Sequence, residues 1–296
     1  FFFKQKTAYE ITYGDWSSDV CSSDLLEASA FAVHAALGAD PIDDTWLACV
    51  PLTGVAGLAI LARGFHTGTE VVVHDRFDTA AVARAPQEGA TLVSLVPTTL
   101  ARLLDAGAPV DRFRHILLGG APAPPGLLAR ARAAGARVST TYGLTETGGG
   151  CVHDGRPLIG VEVATDPATD ELLVRGQVTM RGYRLDEPAT AAAFTPDGFL
   201  RTGDLGRVHP DGSVQVGDRR KDVIITGAVN VSPTAGEHVL LLHPAIRDVC
   251  VVGLPDPEWG ERVVAYVVPV RKGLPPSLAD LRAFAQSRLS SAELPR

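Results

Sequence analysis

The segment Thr141–Thr147, of sequence TYGLTET, brings hydroxyl groups, an aromatic ring and a carboxylate together within seven residues. An aromatic ring can stack on a purine, hydroxyls can hydrogen-bond a phosphate, and the carboxylate of Glu146 is a hard oxygen ligand that suits Mg²⁺. The same residues also suit a polar loop in which Thr145 or Thr147 caps a helix. The segment alone therefore leaves nucleotide binding and helix capping open.

A second candidate is the loop Gly119-Gly120-Ala121-Pro122, which follows a short apolar strand. Ligands of open α/β sheets bind at the carboxyl ends of strands. A backbone without side chains lets a flat base lie against the loop, and proline fixes its shape. A Gly-Gly pair after a strand is more often only a turn, so this motif is weak by itself.

Two charged segments complete the set of candidates. In Arg201–Asp204, a carboxylate on a tight turn between strands can accept two hydrogen bonds from ribose hydroxyls. In Asp218–Gly227, a charged stretch precedes an apolar strand, which suits a hinge, and the guanidinium of Arg219 suits a phosphate or a ribose. The same charged stretch could equally be a solvated linker.

In this order and spacing, the four segments resemble the adenylate-forming superfamily of acyl-CoA synthetases, luciferases and peptide-synthetase adenylation domains. The resemblance extends from Leu26 to Arg296. It implies a two-step reaction in which a carboxylate attacks the α-phosphate of ATP and a thiol then displaces AMP. ATP, Mg²⁺ and coenzyme A are the implied cofactors, and a small-molecule carboxylic acid is the implied substrate.

The resemblance also implies a role for each matching residue. Thr145, Glu146 and Lys221 are the implied catalytic residues: Thr145 binds phosphate, Glu146 holds Mg²⁺, and Lys221 is the hinge. Residues implied to bind the nucleotide or coenzyme A are Gly120, Ala121, Pro122 and Tyr142 at the adenine, Asp204 and Arg219 at the ribose, Gly227 at the thiol tunnel, and also Thr141 and Gly143, the neighbours of Tyr142.

Within the superfamily, the run Thr145–Val152 followed by Asp154-Gly155 resembles the branch of o-succinylbenzoate–CoA ligases of menaquinone biosynthesis. The phosphate loop expected before Leu26 and the Ser-Gly-Lys lysine expected after Arg296 are missing. We therefore expect a fragment truncated at both ends, with impaired activity. A non-catalytic nucleotide- or acyl-binding remnant and an adenylation domain that loads a carrier protein are the alternatives.

Hydrophobic periodicity predicts the elements that position these residues, an α/β fold with a layered parallel sheet followed by a small β region. Predicted strands of the larger lobe are 71–73, 91–96, 115–118 and 136–140, and its helices are 79–85, 98–104 and 125–134. Turns at Asp197-Gly198 and Asp211-Gly212 predict hairpins after Gly155. Predicted for the smaller α/β lobe are strands 223–226, 248–252 and 262–268 and helices 234–242 and 278–289.

Composition predicts the domain organisation and excludes some partners. Residues 1–25 contain no Arg, no Pro and one Ala, which favours a non-native leader over a genuine strand and loop. Residues 26–218 then form the nucleotide-binding domain, 219–222 the hinge and 223–296 the C-terminal lobe. A net charge of -7 argues against nucleic acid as a partner. No apolar run reaches the roughly 18 residues of a membrane span, and the cysteines form no C-x-x-C pair, so we expect a cytoplasmic protein.

Overall fold

The protein is described by a computed structural model that covers residues 23–296. Its helices are α1 (Ser23–Leu37), α2 (Val55–Thr67), α3 (Thr79–Arg84), α4 (Pro97–Asp105), α5 (Pro125–Ala133), α6 (Glu187–Ala193), α7 (Pro233–Leu240) and α8 (Leu278–Ala285). Of the predicted leader, residues 1–22 lie outside the described residues, and its last three residues begin α1.

The strands form three sheets. They are β1 (Thr45–Ala48), β2 (Glu70–Val73), β3 (Leu92–Leu95), β4 (His115–Leu118), β5 (Val138–Leu144), β6 (Gly149–His153), β7 (Arg156–Pro157), β8 (Val161–Thr165), β9 (Glu171–Gly176), β10 (Leu200–Val208), β11 (Val214–Arg219), β12 (Ile224–Thr226), β13 (Val229–Val231), β14 (Ile246–Asp256) and β15 (Gly260–Pro269).

The largest sheet has the order β2-β1-β3-β4-β5-β6-β7. Strands β1 to β5 pair in parallel, whereas β6 pairs antiparallel with β5 and β7 pairs antiparallel with β6. Helices pack on both faces of this sheet, and the side chains of each strand alternate between the hydrophobic cores on the two faces. In β4, Ile116 and Leu118 pack on the side of α3, α4 and α5, and Leu117 packs on the side of α1 and α2.

The second sheet, of order β11-β10-β9-β8, is antiparallel and packs against the end of the first. Leu172 and Val174 of β9 share a core with Cys151 and Val152 of β6. A hairpin with its turn at residues 209–213 joins β10 to β11, as the Asp211-Gly212 pair predicts. This packing fixes the position of β10 relative to β5.

The third sheet belongs to the C-terminal lobe and has the order β13-β12-β15-β14. Its strands pair antiparallel, β13 with β12, β12 with β15 and β15 with β14, and α7 and α8 pack on it around a core of its own. The short 3₁₀ turn Arg220–Asp222 joins this lobe to β11. The predicted α/β fold class with a smaller C-terminal lobe is confirmed.

Two local predictions are wrong in a way that affects the site. Residues Thr141–Leu144 are predicted to lie in a loop, but they continue strand β5, because β6 folds back and supplies hydrogen-bond partners for them. The Arg201–Asp204 segment lies within β10 and not between strands, and the register shifts there between Arg201 and Leu205 on one side and between Asp204 and Gly206 on the other. Such irregularities turn a side chain towards a neighbouring element.

Candidate functional site

The two glycine-containing motifs meet at the carboxyl end of the parallel strands. Gly119 follows β4 and lies so close to β5 that a Cβ on it would collide with Oγ1 of Thr141. Gly120 has a φ of +77°, which favours glycine, and with Ala121 and Pro122 it is exposed to solvent. An exposed loop in contact with the end of β5 is a surface against which a flat ligand can lie.

Gly143 is required by the close approach of β5 and β6. A Cβ at this position would overlap the carbonyl oxygen of Gly149, and the neighbouring atoms are also backbone, which cannot move aside. The register between β5 and β6 shifts between Tyr142 and Gly143. The glycine therefore allows the irregular hairpin that presents the remainder of the motif.

Tyr142, Asp204 and Arg219 form one hydrogen-bonded cluster, although they are far apart in the sequence. The hydroxyl of Tyr142 donates to Oδ2 of Asp204 at 2.7 Å, and Nε of Arg219 lies 2.8 Å from Oδ1 of the same carboxylate. Asp204 and Arg219 are register partners on β10 and β11. The three residues predicted to hold the adenosine part of ATP thus lie together.

The charge of Asp204 is held in a buried position. Burial raises the pKa of its carboxyl above the ordinary value, and the Arg219 guanidinium and the Tyr142 hydroxyl act in the opposite direction by favouring the charged form. The pKa of Tyr142 is raised by burial and by the nearby Asp204, so its hydroxyl stays protonated as a donor. Each carboxylate oxygen of Asp204 keeps a second lone pair for a further donor such as a ribose hydroxyl.

Glu146 lies in the 3₁₀ turn Thr145–Thr147, directly after β5. Its Oε1 accepts a hydrogen bond of 2.9 Å from the Tyr183 hydroxyl, which orients the carboxylate. Thr147 is buried and its hydroxyl bonds to the backbone of Leu144 and Gly149, so the turn uses this residue for its own structure. Thr145 begins the same turn.

The oxygen chemistry of Glu146 fits Mg²⁺, which binds proteins through one or two carboxylates and takes its other ligands from water and substrate phosphates. Among residues 23–296 there is no cluster of three or more acidic, histidine or cysteine side chains that could hold a metal without a substrate. Glu146 is half-buried and near enough to Asp204 to raise its pKa. A metal at this residue would therefore lie beside the Tyr142 cluster.

A cavity of about 120 Å³ lies under the same strand ends, between α2 and the β3–β6 part of the sheet. Pockets that enclose a drug-sized ligand measure roughly 300 to 1,000 Å³, so this cavity is smaller than a typical complete ligand site. Its wall is formed mainly by small or apolar residues of α2 and by glycines, and its residues are Val50, Val55, Ala56, Ala59, Arg63, Ser94, Leu95, Val96, Leu117, Gly119, Gly120, Thr141, Gly143, Gly149, Gly150 and His153.

Arg63 is the charged residue of this wall. Its side chain comes from the apolar helix α2 and is 5% exposed, and its Nε and Nη1 are buried without a hydrogen-bond partner in the described chain. The guanidinium carbon lies 4.8 Å from the ring centroid of Trp46, whose Nε1 donates to Nε2 of His34 at 3.0 Å. Burial lowers the pKa of Arg63 to about 10, so it remains a cation at neutral pH.

His153 faces the same cavity from β6. Both ring nitrogens are buried and have no hydrogen-bond partner among residues 23–296. Burial, followed by the charge of Arg63, lowers the pKa of His153 to about 4. The cavity wall therefore contains a cation and a neutral imidazole, and among residues 23–296 Nε and Nη1 of Arg63 and both ring nitrogens of His153 have no hydrogen-bond partner.

The sequence analysis did not predict Arg63 or His153 as functional residues. A usable signal existed for Arg63, because it is the only Arg, Lys, Asp or Glu of the helix VAGLAILARGFHT, and such a residue on a buried face needs a partner. His153 has no comparable signal, since it lies ten residues beyond Gly143 in an ordinary strand pattern. Its approach to the cavity depends on the β5–β6 hairpin.

Lys221 lies in the turn between β11 and β12, two residues after Arg219, and Gly227 follows β12 in the C-terminal lobe. Lys221 is exposed in the 3₁₀ turn Arg220–Asp222. The N–H of Gly227 donates to the carbonyl of Trp259 at 2.8 Å. The next residue, Ala228, has a φ of +62°, a left-handed conformation in which a Cβ is strained and glycine is favoured. Their predicted roles stay predictions.

A larger open cavity, of about 770 Å³, lies between α1 and the loops around Ile159 and Gly176. It contains none of the residues predicted to bind nucleotide, metal or thiol.

None of the described helices is long and apolar enough to cross a membrane.

Residues 11–184 match the AMP-binding enzyme family, and residues 236–296 match the AMP-binding enzyme C-terminal domain. The chain belongs to the AMP-binding enzyme family. The resemblance to the adenylate-forming superfamily predicted from the motifs is thereby confirmed.

Among its relatives is the 2-succinylbenzoate–CoA ligase of Bacillus pumilus, with 35% identity over 275 residues, 86% of this chain and 56% of that enzyme. The probable 2-succinylbenzoate–CoA ligase of Mycobacterium tuberculosis is 36% identical over 296 residues, 96% of this chain and 76% of that protein. The chain thus spans little more than half the length of the Bacillus pumilus enzyme.

Two solved structures have the same fold. The o-succinylbenzoate CoA synthetase of Bacillus subtilis, in complex with its acyl-adenylate intermediate, superposes with a TM-score of 0.84 at 32% identity, over 94% of this chain and 63% of that one. ATP-bound MatB from Rhodopseudomonas palustris superposes with a TM-score of 0.86 at 26% identity, over 92% of this chain and 59% of that one.

Proposed function

We propose that the full-length protein is an ATP-dependent, AMP-forming acid–CoA ligase whose acid is compact and carries a second, remote carboxylate. The observation that carries this proposal is Arg63, a buried cation in the cavity beside Gly119 and Thr141, two of whose nitrogens have no hydrogen-bond partner among the described residues. An unpaired buried charge is costly, and a ligand carboxylate that pairs with it recovers that cost on binding. o-Succinylbenzoate, the acid named for the relatives, is a compact dicarboxylic acid.

The position of the cavity suits the first half-reaction. It opens at the strand ends where Thr141 and Gly143 lie, while Tyr142 between them belongs to the Asp204 cluster. An acid whose remote carboxylate pairs with Arg63 extends its reacting carboxylate towards these strand ends. Attack on the α-phosphate of ATP then requires mainly that both reactants be held there, and such positioning is a large source of rate enhancement.

The residues of the nucleotide side take the roles that the family resemblance implies. Gly120 and its loop neighbours, together with Tyr142, lie against the adenine. Asp204 and Arg219 bind the ribose, and Thr145 binds a phosphate. Mg²⁺ bound at Glu146 would neutralise phosphate charge as pyrophosphate leaves. Tyr183 contributes by fixing one oxygen of Glu146, so that the other remains available to the metal.

For the second half-reaction we propose coenzyme A as the acceptor, with Lys221 as the hinge residue and Gly227 near the thiol. The support is that the hinge turn joins two sheets with separate cores. We also propose that the protein acts in the cytoplasm, because ATP and coenzyme A are supplied there. The free, buried thiols of Cys49 and Cys151 are typical of a reducing compartment.

The test is acid-dependent ATP–pyrophosphate exchange by the full-length protein with three acids of graded structure. We expect exchange with o-succinylbenzoate, much weaker exchange with 4-oxo-4-phenylbutanoate, which lacks the remote carboxylate, and none with palmitate, which is too long for the cavity. Silence with o-succinylbenzoate, or equal rates with the first two acids, would contradict the proposal.

The acceptor is tested separately by following thioester formation with free coenzyme A. Lys221→Pro is expected to spare pyrophosphate exchange and to suppress thioester formation, because a proline restricts the backbone rotation at the hinge. Equal loss of both activities would remove Lys221 from the hinge role. Exchange without any thioester on free coenzyme A would favour an adenylation domain that loads a carrier protein.

A further inference from the structure

His153 lines the cavity that contains Arg63, and it lies on β6, the strand that pairs with β5. It is the register partner of Thr141 across the β5–β6 ladder. Its Nε2 lies close to Gly150, since a Cβ placed on that glycine would be 3.3 Å from the ring nitrogen. The imidazole therefore lies against the backbone of Gly150, within the β5–β6 hairpin that carries the nucleotide motif.

The imidazole is buried in a wall that offers it no partner. His153 is 8% exposed, and neither Nδ1 nor Nε2 has a hydrogen-bond partner among the described residues. A buried polar group without a partner is costly, and native proteins leave few of them. The neighbours in the cavity wall are mostly glycines and apolar residues of α2. A ligand in the cavity is the available source of a partner.

The protonation state decides what kind of partner the ring can accept. At neutral pH the ring of His153 is neutral, because burial and the charge of Arg63 oppose its protonation. A neutral imidazole has one N–H donor and one acceptor nitrogen. Arg63 supplies the positive charge from the facing helix, so His153 adds a directional hydrogen bond and no second charge.

We propose that His153 is a specificity-determining residue that donates its N–H to a keto oxygen of the acid whose remote carboxylate binds Arg63. This inference rests on the proposed function and narrows the substrate class to oxo-substituted dicarboxylic acids. Arg63 selects for the second carboxylate, and His153 selects for the oxygen between the two ends. An acid without that oxygen leaves the buried N–H unpaired when it fills the cavity, which lowers its affinity.

The experiment uses isothermal titration calorimetry on the full-length protein with three acids. o-Succinylbenzoate has both features, 2-(3-carboxypropyl)benzoate lacks only the keto oxygen, and 4-oxo-4-phenylbutanoate lacks only the remote carboxylate. His153→Phe keeps a ring and removes both nitrogens, and His153→Gln keeps an N–H donor. His66→Phe makes the same substitution outside the cavity, and circular dichroism melts check that each variant folds.

We expect His153→Phe to weaken binding of both keto acids roughly tenfold and to change binding of 2-(3-carboxypropyl)benzoate less than about twofold. His153→Gln should stay within about threefold of the wild type for all three acids, and His66→Phe should match the wild type. Equal weakening of the keto acids and 2-(3-carboxypropyl)benzoate, or no weakening of either, overturns the role of His153 while the dicarboxylate preference stands. A wild-type protein that binds none of the acids overturns both proposals.

Discussion

Replacing Arg63 with methionine is expected to make the fold more stable while it removes the affinity for a dicarboxylic acid. Most substitutions in a buried position destabilise a protein. Arg63 should differ because its charge is buried without an ion-pair partner among the described residues, and its Nε and Nη1 make no hydrogen bond there. A residue kept at such a cost serves a ligand.

The magnitude follows from two opposing contributions. Burial lowers the pKa of Arg63 from 12.5 to about 10, which at about 1.36 kcal/mol per pKa unit corresponds to a penalty of ~3 kcal/mol for the charged form. The contact with the Trp46 ring returns up to ~2 kcal/mol. Methionine has a similar length and no charge, so Arg63→Met should raise the free energy of unfolding by ~1 kcal/mol, or Tm by about 2 °C.

The effect on binding has the opposite sign. Loss of the guanidinium removes a buried, charge-assisted pair with the remote carboxylate, worth about 3 kcal/mol, so the Kd for o-succinylbenzoate should rise about a hundredfold. Binding of 4-oxo-4-phenylbutanoate, which lacks that carboxylate, should change little. Calorimetric titration gives both constants, and thermal denaturation gives the stability.

The matched control is Arg84→Met, which removes an arginine that is mostly exposed and lies 3.9 Å from Glu88. Exposed ion pairs contribute little, so neither Tm nor acid binding should change. If Arg63→Met instead lowers Tm by several degrees and leaves the preference between the two acids intact, Arg63 is part of the structural core and the argument for a dicarboxylic substrate fails.

Three further predictions concern the metal, the β5–β6 hairpin and the buried histidines. Glu146→Gln should slow Mg²⁺-dependent pyrophosphate exchange by tenfold or more, since a charged ligand is lost; a Mg²⁺ titration that matches the wild type would remove Glu146 from the metal site. Gly143→Ala should lower the free energy of unfolding, measured by urea denaturation, by about 3 kcal/mol, because the added Cβ would overlap the backbone of Gly149. The control Gly126→Ala should be tolerated, since a Cβ there meets nothing within 4 Å. His34 and His153 have pKa values lowered from 6.5 to about 4, so the unfolded chain takes up protons at a higher pH than the folded protein does. The free energy of unfolding should therefore fall as the pH drops from about 6.5 towards 4, by up to ~3 kcal/mol for each histidine. Urea midpoints that stay constant between pH 7 and 5 would contradict this.

Much of the larger lobe could be predicted because its strands are short, apolar and separated by helices of clear period. The predicted strand 115–118 coincides with β4, and Pro97 occupies the first turn of α4, as its fixed φ suggests. The predicted strand 136–140 ends too early. Its continuation contains Thr141 and Tyr142, polar residues that β6 stabilises by pairing, and a pairing partner cannot be read from local periodicity.

The residues of the candidate site also differ in whether local sequence could predict them. Tyr142, Asp204 and Arg219 could be proposed together because a resemblance connects their motifs, whereas their mutual hydrogen bonds depend on how the second sheet packs on the first. Arg63 and His153 could not be proposed from the four nucleotide motifs, because neither lies in one of them. They meet only because helix α2 and the β5–β6 hairpin cover the same strand ends.

Strand β5 explains how one element can serve both substrates. Its side chains alternate between two faces, as in any strand. Thr141 and Gly143 line the cavity that contains Arg63, whereas Tyr142 between them reaches Asp204 on the second sheet. In the proposed reaction, the acid and the nucleotide therefore lie on opposite sides of the same three residues, and their reacting groups meet where the strand ends, beside Glu146. A register slip of one residue between β5 and β6 would exchange the two faces, and Gly143, which tolerates no Cβ, helps to fix that register.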